Sequence, residues 1–303
     1  MLALKRFLLA FLLIAVVALS GCIGQRSVNI DANNGLLIST FSVDPVKVDE
    51  GDQVLVLMDV ENVGGVTARD IRVNFYGAEG WGGDKNKTLG KDLKPPDPIT
   101  GTPGDFKTVT ATLTAPQLPE GVQLEFPITA RVVFSYKTTG GITIPAYSED
   151  LYKINTEQGR TMETEAKVSN TNAPLKVSLS RGPTPLVVGN ESEETTYVIE
   201  FKNVGSGWPF KEGDIGKLQG KIKVYGAELI ECLDVGVGTD NTVTLDLPVF
   251  QMRSTGSVPV SCSVNIPGGW SPTQSGSVVF TVDIDYDYYV EKAANVMVWG
   301  GKS

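Results

Sequence analysis

Three carboxylates close to the C-terminus have the spacing of one face of a β-strand. They are Asp283, Asp285 and Asp287, and they alternate with isoleucine and tyrosine. Alternate side chains of a strand point to the same face, so these carboxylates would lie about 6.6 Å apart. That separation is too wide for two carboxyl groups to share a proton, but it could hold Ca²⁺ loosely with help from a neighbouring strand. We favour the alternative, a solvated face that keeps a sheet edge from pairing, and predict no metal site.

Cys232 and Cys262 have the chemistry of a disulfide. Both occupy strand-like segments on the side expected to face inward. Oxidation of such a pair is favoured wherever a chain is exported from the cytoplasm. A bridge that closes a loop of about 30 residues would stabilise the chain by about 3–4 kcal/mol. The corresponding segment of the first half, residues 109–113, has no cysteine, so the bridge would be an addition to the fold. The alternative is two buried free thiols.

Three tryptophans invite a carbohydrate-binding interpretation, because indole faces stack on sugar rings. Trp81, Trp208 and Trp270 neighbour glycine or proline, which predicts loops. A sugar platform needs two such rings exposed and coplanar. The alternative, which we favour, is a loop aromatic folded over the end of a sandwich. A nearby tyrosine cluster, Tyr286, Tyr288 and Tyr289, is expected to pack in the core and on a sheet face.

Two sequons offer N-glycosylation sites at Asn86 and Asn190, where the sequences read Asn-Lys-Thr and Asn-Glu-Ser. Both are predicted to lie in loops. Chance occurrence of so short a motif is the alternative reading.

Composition excludes several classes of function. The chain of 303 residues has no histidine, which removes Ser-His-Asp and Cys-His catalysis and His-ligated zinc. Its 26 basic and 35 acidic residues give a net charge of −9, whereas nucleic-acid binders need a basic surface. No phosphate-binding loop, metal-spaced cysteines or nucleophile elbow occurs. We therefore predict no enzymatic activity, no cofactor and no nucleic-acid partner.

The N-terminus has the anatomy of an export signal. Lys5 and Arg6 precede an apolar run at residues 7–19, which is shorter than a membrane-spanning helix needs. Residues 19–22, Leu-Ser-Gly-Cys, resemble the lipobox of prokaryotic lipoproteins. That resemblance implies cleavage before Cys22 and a lipid on its thiol, which would anchor the chain to the extracytoplasmic face of the cell membrane. The alternative is an uncleaved N-terminal membrane anchor. Residues 23–34 lack a strong period and are predicted to be a tether.

The rest of the chain is a duplication. Segments that match in the same order are ENVGG at 61–65 with KNVGS at 202–206, NFYGAE at 74–79 with KVYGAE at 223–228, and residues 130–136 with 280–286. The difference in residue number between matching segments increases along the chain, which places an insertion in the second copy near residues 208–214. The duplicated unit, about 130 residues, has the size of a domain.

Strand signals dominate both copies. Residues 54–60 are rich in β-formers, residues 258–264 alternate apolar with polar, and glycine or proline separates the runs. This pattern predicts an all-β protein with two tandem immunoglobulin-like β-sandwiches. The predicted organisation is a signal peptide at 1–22, a tether at 23–34, and domains at 35–168 and 169–303. The boundary is placed in the polar stretch at 166–173.

The repeated motif resembles CARDB-type and archaeal S-layer-like immunoglobulin-fold domains. In each copy, a strand ending in Asn-x-Gly precedes a strand that ends in Tyr-Gly. The residues that carry this resemblance are Asn62, Gly64, Ile71, Val73, Phe75 and Tyr76, and Asn203, Gly205, Ile222, Val224 and Tyr225. Ser206 departs from the pattern by replacing its second glycine. We expect the Asn-x-Gly to form a tight turn through its tolerance of positive φ.

The resemblance implies an archaeal, surface-exposed adhesion or scaffold module and carries no catalytic residues. We therefore predict a lipid-anchored, non-catalytic interaction protein whose partners are other envelope or surface proteins or glycans. The alternative is a module that binds a surface glycan or another ligand through its loop tryptophans.

Overall fold

The computed structural model describes residues 30–211, 214–215, 218–232, 236–237, 240–247 and 256–301. The predicted signal peptide, Cys22 and most of the predicted tether lie outside these residues. Strands account for most of the described chain, which confirms the all-β class. None of the helical residues described forms a segment long and apolar enough to cross a membrane.

The first half of the described chain contains strands only. They are β1 (Leu36–Asp44), β2 (Lys47–Asp49), β3 (Gln53–Asn62), β4 (Arg69–Tyr76), β5 (Gly82–Gly83), β6 (Asn86–Thr88), β7 (Phe106–Thr114) and β8 (Gln123–Ser148).

A short helix opens the second half and strands follow. The elements are α1 (Glu149–Glu157), β9 (Lys167–Asn170), β10 (Leu175–Arg181), β11 (Leu186–Val188), β12 (Glu193–Asn203), β13 (Trp208–Lys211), β14 (Asp214–Ile215), β15 (Leu218–Tyr225), β16 (Glu228–Cys232), β17 (Gly236–Val237), β18 (Thr242–Leu247), β19 (Ser257–Ile266) and β20 (Ser275–Trp299).

Two very long strands join the repeats into one sheet. β8 and β20 run antiparallel and pair without interruption from Gln123 opposite Trp299 to Tyr147 opposite Ser275. Strands from both repeats extend this shared sheet on either side. Each repeat also has a small sheet of its own, with strand order β1-β3-β7-β5 in the first and β10-β12-β19-β16-β17 in the second.

Each repeat lends a strand to the sandwich of the other. β4 pairs with the first part of β8, and β15 pairs with the first part of β20, each within its own repeat. The later part of each long strand borders the other repeat, since β2 pairs in parallel with the end of β20 and β11 with the end of β8. The opening strands β1 and β10 pack on β20 and β8 in the same crossed manner. Neither sandwich is therefore built from one repeat alone.

Both small sheets pack on the same face of the shared sheet. The even-numbered side chains of β8 are buried from Ile128 to Ala146, and those of β20 are buried from Val278 to Val290. The hydrophobic core formed on this side is continuous through both repeats. The odd-numbered side chains line the opposite face, which no sheet covers among the described residues. We call it the open face.

The predicted domain boundary falls inside a strand. Residues 168 and 169 belong to β9, which pairs with β8 at Gly140–Thr143. The predicted insertion at residues 208–214 contains β13 and the start of β14, which extend the shared sheet beside β20.

Helix α1 was not predicted from the sequence, because nine residues are too few to establish a 3.6-residue period. The hydroxyl of Ser148 accepts a hydrogen bond from the Leu151 amide at 3.3 Å and caps its N-terminus. Lys153 donates to Glu149 at 2.7 Å, one turn apart.

The Asn-x-Gly turns do not depend on positive φ, so the reason predicted for them was wrong. Neither Gly64 nor Gly205 has a positive φ. A Cβ atom on Gly64 would instead lie 2.2 Å from the Tyr136 hydroxyl, and one on Gly205 would lie 2.5 Å from that of Tyr288. Glycine is needed at both turns because a tyrosine from the shared sheet approaches the backbone.

Candidate functional site

The three predicted carboxylates lie on the open face, opposite polar side chains of β8. Asp283 accepts hydrogen bonds from Lys137 at 3.0 Å and from the Thr139 hydroxyl at 2.9 Å. Asp287 accepts one from the Ser135 hydroxyl at 2.6 Å. β20 is flanked by partners on both sides, so the predicted role of this row in protecting a sheet edge is wrong.

The contact between Lys137 and Asp283 favours the charged form of both side chains. Partial burial acts to raise the pKa of Asp283, but the hydrogen bonds from Lys137 and Thr139 outweigh it and the pKa lies below its ordinary value. The same contact raises the pKa of Lys137. Among the described residues, no three acidic, cysteine or histidine side chains are grouped so that they could hold a metal ion. Lys137 and Asp283 form a pair of opposite charges on this face.

A groove crosses the open face where the two repeats meet. It consists of two adjoining cavities, about 340 and 550 Å³ in volume, which share Lys137, Gln219 and Asp285. The first cavity extends between Arg69 of the first repeat and Phe210 of the second. The second is lined by residues 219–221 of β15 and by Thr244 and Leu245 in the middle of β18. We call the two cavities together the axial groove.

Beside the groove, aromatic rings and one guanidinium form a continuous stack. The Arg131 guanidinium carbon lies 4.5 Å from the ring centre of Tyr76 and 4.3 Å from that of Tyr289. The Tyr289 ring in turn meets Phe210 edge to face, with 5.8 Å between ring centres. Glu291 accepts a hydrogen bond from Arg131 at 2.6 Å. We call this row of side chains the ring stack.

The geometry of the ring stack holds Arg131 in one position. Partial burial acts to lower the pKa of this guanidinium, but the hydrogen bond to Glu291 and its negative charge outweigh that effect and raise the pKa. A cation between two aromatic faces is attracted by both ring quadrupoles. The stack is thus a surface of aromatic rings around a guanidinium whose charge is paired with Glu291.

The repeated Tyr-Gly motif places a tyrosine on the open face of each half. Tyr76 is 41% exposed and Tyr225, its counterpart, is 48% exposed. The Lys223 ammonium lies 5.0 Å from the Tyr225 ring centre, much as Arg131 covers Tyr76. In the sequence, these tyrosines were noted only as residues that carry the family resemblance. Their exposure on the sheet could not be predicted from it.

The three predicted tryptophans do not form a sugar platform. Trp81 is buried and meets Phe126 edge to face, with ring centres 5.9 Å apart. Trp270 is half-buried, and its ring lies close to Gly276 of β20. Trp208 is half-buried and begins β13 opposite Tyr289, at the ring stack, so its predicted place in a loop is wrong. No ring contact joins any two of the three within the described chain.

The predicted disulfide is present in the structure. Cys232 and Cys262 form a disulfide between neighbouring strands of one sheet, and both are buried.

The two predicted glycosylation sites are both exposed. Asn190 lies in a bend after β11. Asn86 is also exposed but lies in β6 opposite Asn74, so its predicted place in a loop is wrong. Glycosylation of either residue stays a prediction.

Comparison with known proteins leaves this chain without an assigned family. No protein-family model matches it, and no curated protein matches it. The resemblance to CARDB-type domains therefore stays a prediction, as does that of the N-terminus to a lipobox.

Solved structures give weak likenesses. A chitinase from Bacillus thuringiensis is 11% identical at a TM-score of 0.21, over 79% of this chain and 28% of its own length. Red sea bream transglutaminase is 11% identical at 0.19, over 87% of this chain and 31% of its own. A collagen adhesin from S. aureus is 12% identical at 0.15, over 91% and 96%. The chain thus spans less than a third of the first two proteins, and likenesses with such TM-scores carry no weight for its fold or function.

Proposed function

We propose that this chain is a lipid-anchored interaction module on the extracytoplasmic side of the cell membrane, and that it presents its open face to a partner. The observation that carries the proposal is the joint placement of the axial groove and the ring stack on the open face, which no sheet covers in the part of the chain that the structure describes. Exposed aromatic rings and arginine are the side chains that contribute most binding energy at protein surfaces.

A non-catalytic role is part of this proposal. Two pairs of opposite charges lie on the open face, Lys137 with Asp283 and Arg131 with Glu291. A nucleophile activated by a base needs a geometry that such pairs do not supply. The chain also has no histidine to act as a proton shuttle near neutral pH.

Site-specific photo-crosslinking on intact cells tests the choice of face. A photoreactive phenylalanine analogue at Tyr76 places the probe on the open face, and the same analogue at Leu55 is the matched control. Leu55 is 47% exposed and points away from the core on β3. We expect crosslinked products from position 76 and none from position 55. Products from position 55 alone would exclude the open face.

The anchor is tested separately through Cys22→Ser in the full chain. We expect wild type to partition into detergent and to incorporate a labelled lipid precursor, and the variant to do neither. A variant that still partitions like wild type after removal of the signal peptide would refute the lipid anchor.

A further inference from the structure

We propose that the axial groove binds a neutral saccharide. This inference rests on the proposed function, because it assigns a ligand class to the surface through which that function would operate. The saccharide site proposed here does not include Trp81 and Trp270, which lie elsewhere in the fold.

The charge of the groove is balanced, although the chain as a whole is acidic. Its lining includes three cations and three carboxylates: Arg69, Lys137, Lys221, Asp283, Asp285 and Asp287. The complete sequence has a net charge of −9. A groove without net charge gives no long-range advantage to a polyanion or a polycation. An uncharged polar ligand fits this balance best.

The groove offers both donors and acceptors that are not fully used. Asp285 is exposed and forms no hydrogen bond or ion pair with any residue that the structure describes. Gln219 is exposed beside it and can both donate and accept. Lys137 has three N–H donors and uses one on Asp283. A sugar hydroxyl can donate one hydrogen bond and accept another at the same time. It could therefore donate to the carboxylate of Asp285 and accept from the ammonium of Lys137.

An aromatic wall completes the site. Phe210 lines the first cavity and is half-buried, held by its edge-to-face contact with Tyr289. The C–H groups of a pyranose ring form an apolar surface that packs on such a ring. A cavity floor of polar groups beside a fixed aromatic side chain therefore matches the two kinds of surface on a saccharide.

The backbone beneath the groove argues against an extended peptide. Peptides that bind to sheets pair with a free strand edge. The floor is formed by β8 and β20, which pair with each other and with further strands on their outer sides. Among the described residues beside the groove, the outer edge of β8 lacks a strand partner only between Ser135, where β4 ends its pairing, and Gly140, where β9 begins. That stretch is too short for an extended peptide, so recognition falls to side chains.

Calorimetry on the detergent-solubilised full chain tests the proposal. The probes are neutral hexasaccharides of glucose and of N-acetylglucosamine, with an oligogalacturonate of equal length as the acidic comparison. We expect a neutral probe to bind and the acidic one to bind at least about tenfold more weakly. Asp285→Ala and, independently, Gln219→Ala should each weaken neutral binding about tenfold, since each removes a hydrogen-bonding group.

Glu125→Ala is the matched control, because Glu125 is an exposed carboxylate on β8 outside the groove, and its affinity should equal that of wild type. Absence of neutral binding, preference for the acidic probe, or equal binding by Asp285→Ala would each overturn the proposal. Crosslinking from position 76 separates the two claims. If a partner is crosslinked while no saccharide binds, the interaction function stands and the saccharide assignment falls.

Discussion

Tyr136 and Tyr286 hold the same position in the two repeats, and they lie directly opposite each other in the ladder between β8 and β20. Their ring centres are 6.4 Å apart. A residue that pairs with its own repeat equivalent marks an approximate two-fold axis through an antiparallel pair. The exchange of strands between the sandwiches follows from this axis, because each long strand runs past it into the other half.

The exchange predicts that the two halves cannot be separated under native conditions. A protease site inserted between Arg160 and Thr161 would cut the exposed segment after α1. We expect the two pieces to elute together in size-exclusion chromatography after cleavage, because the β8–β20 ladder still joins them. They should separate in guanidinium chloride, and the uncut chain with the same insertion is the control. Pieces that separate in native buffer, each with its own cooperative unfolding transition, would contradict the exchanged fold.

The close approach of Tyr136 to Gly64 predicts coupled substitutions. Gly64→Ala should lower the free energy of unfolding by about 1–3 kcal/mol, because the new Cβ would lie 2.2 Å from the tyrosine hydroxyl. In a Tyr136→Phe background, the same substitution should cost less. The Asn34 carbonyl oxygen, 2.6 Å from the same Cβ position, keeps the rescue partial.

Urea denaturation of the four variants in this cycle gives the coupling energy. Gly90→Ala is the control, since its Cβ would meet no atom within 4 Å, and its effect should stay within about 0.5 kcal/mol. Equal costs of Gly64→Ala in both backgrounds would show that the hydroxyl is not the obstacle.

The disulfide predicts a loss of stability without a loss of fold. Replacing Cys232 and Cys262 by alanine together should reduce the free energy of unfolding by about 2–4 kcal/mol, since the closed loop limits the unfolded chain. The circular dichroism spectrum should keep its β character, because the first repeat forms its small sheet without a bridge. Non-reducing peptide mapping checks the premise, and alkylated free thiols at both positions would disprove it.

Buried tyrosines predict instability at high pH. Burial raises the pKa of Tyr136 to about 12, although hydrogen bonds from the backbone amides of Val66 and Gly65 oppose it. An unfolded tyrosine ionises near pH 10, so between pH 10 and 12 the unfolded state loses a proton that the folded state keeps. Tyr136 alone should then lower the free energy of unfolding by about 1.4 kcal/mol per pH unit across this window.

Burial also raises the pKa values of Tyr286 and Tyr288 and should steepen the decline. Urea unfolding at several pH values, with phenolate absorbance recorded in parallel, measures it. Tyr136→Phe should make the slope shallower. Ionisation of every tyrosine near pH 10 in the folded protein would be inconsistent with this account.

Local sequence was sufficient for the parts of the fold that depend on periodicity. The alternation around Val260, Cys262 and Val264 predicted both a strand and the inward side of the thiol, and all three residues are buried. The repeated motifs also predicted two equivalent halves. These features depend on which side chains point the same way along one strand, and that information is local.

Local sequence did not predict which strands pair with each other. Gly140 and Gly141 have the character of strand breakers, yet they lie within β8. A Cβ on Gly140 would come within 3.0 Å of Val177, so this glycine admits β10 of the other repeat against the shared sheet. The same alternation fits a strand that pairs within its own repeat and one that crosses the axis.

The chain by itself therefore determined the all-β class, the duplication and the inward side of Cys232 and Cys262, because strand period and residue type encode them. Only the tertiary structure decided the exchange of strands and the open face. Tyr76, Arg131 and Phe210 are far apart in sequence, and nothing local indicates that they form the ring stack with Tyr289. Long-range strand pairing brought them together, and that pairing is set by the packing of both repeats at once.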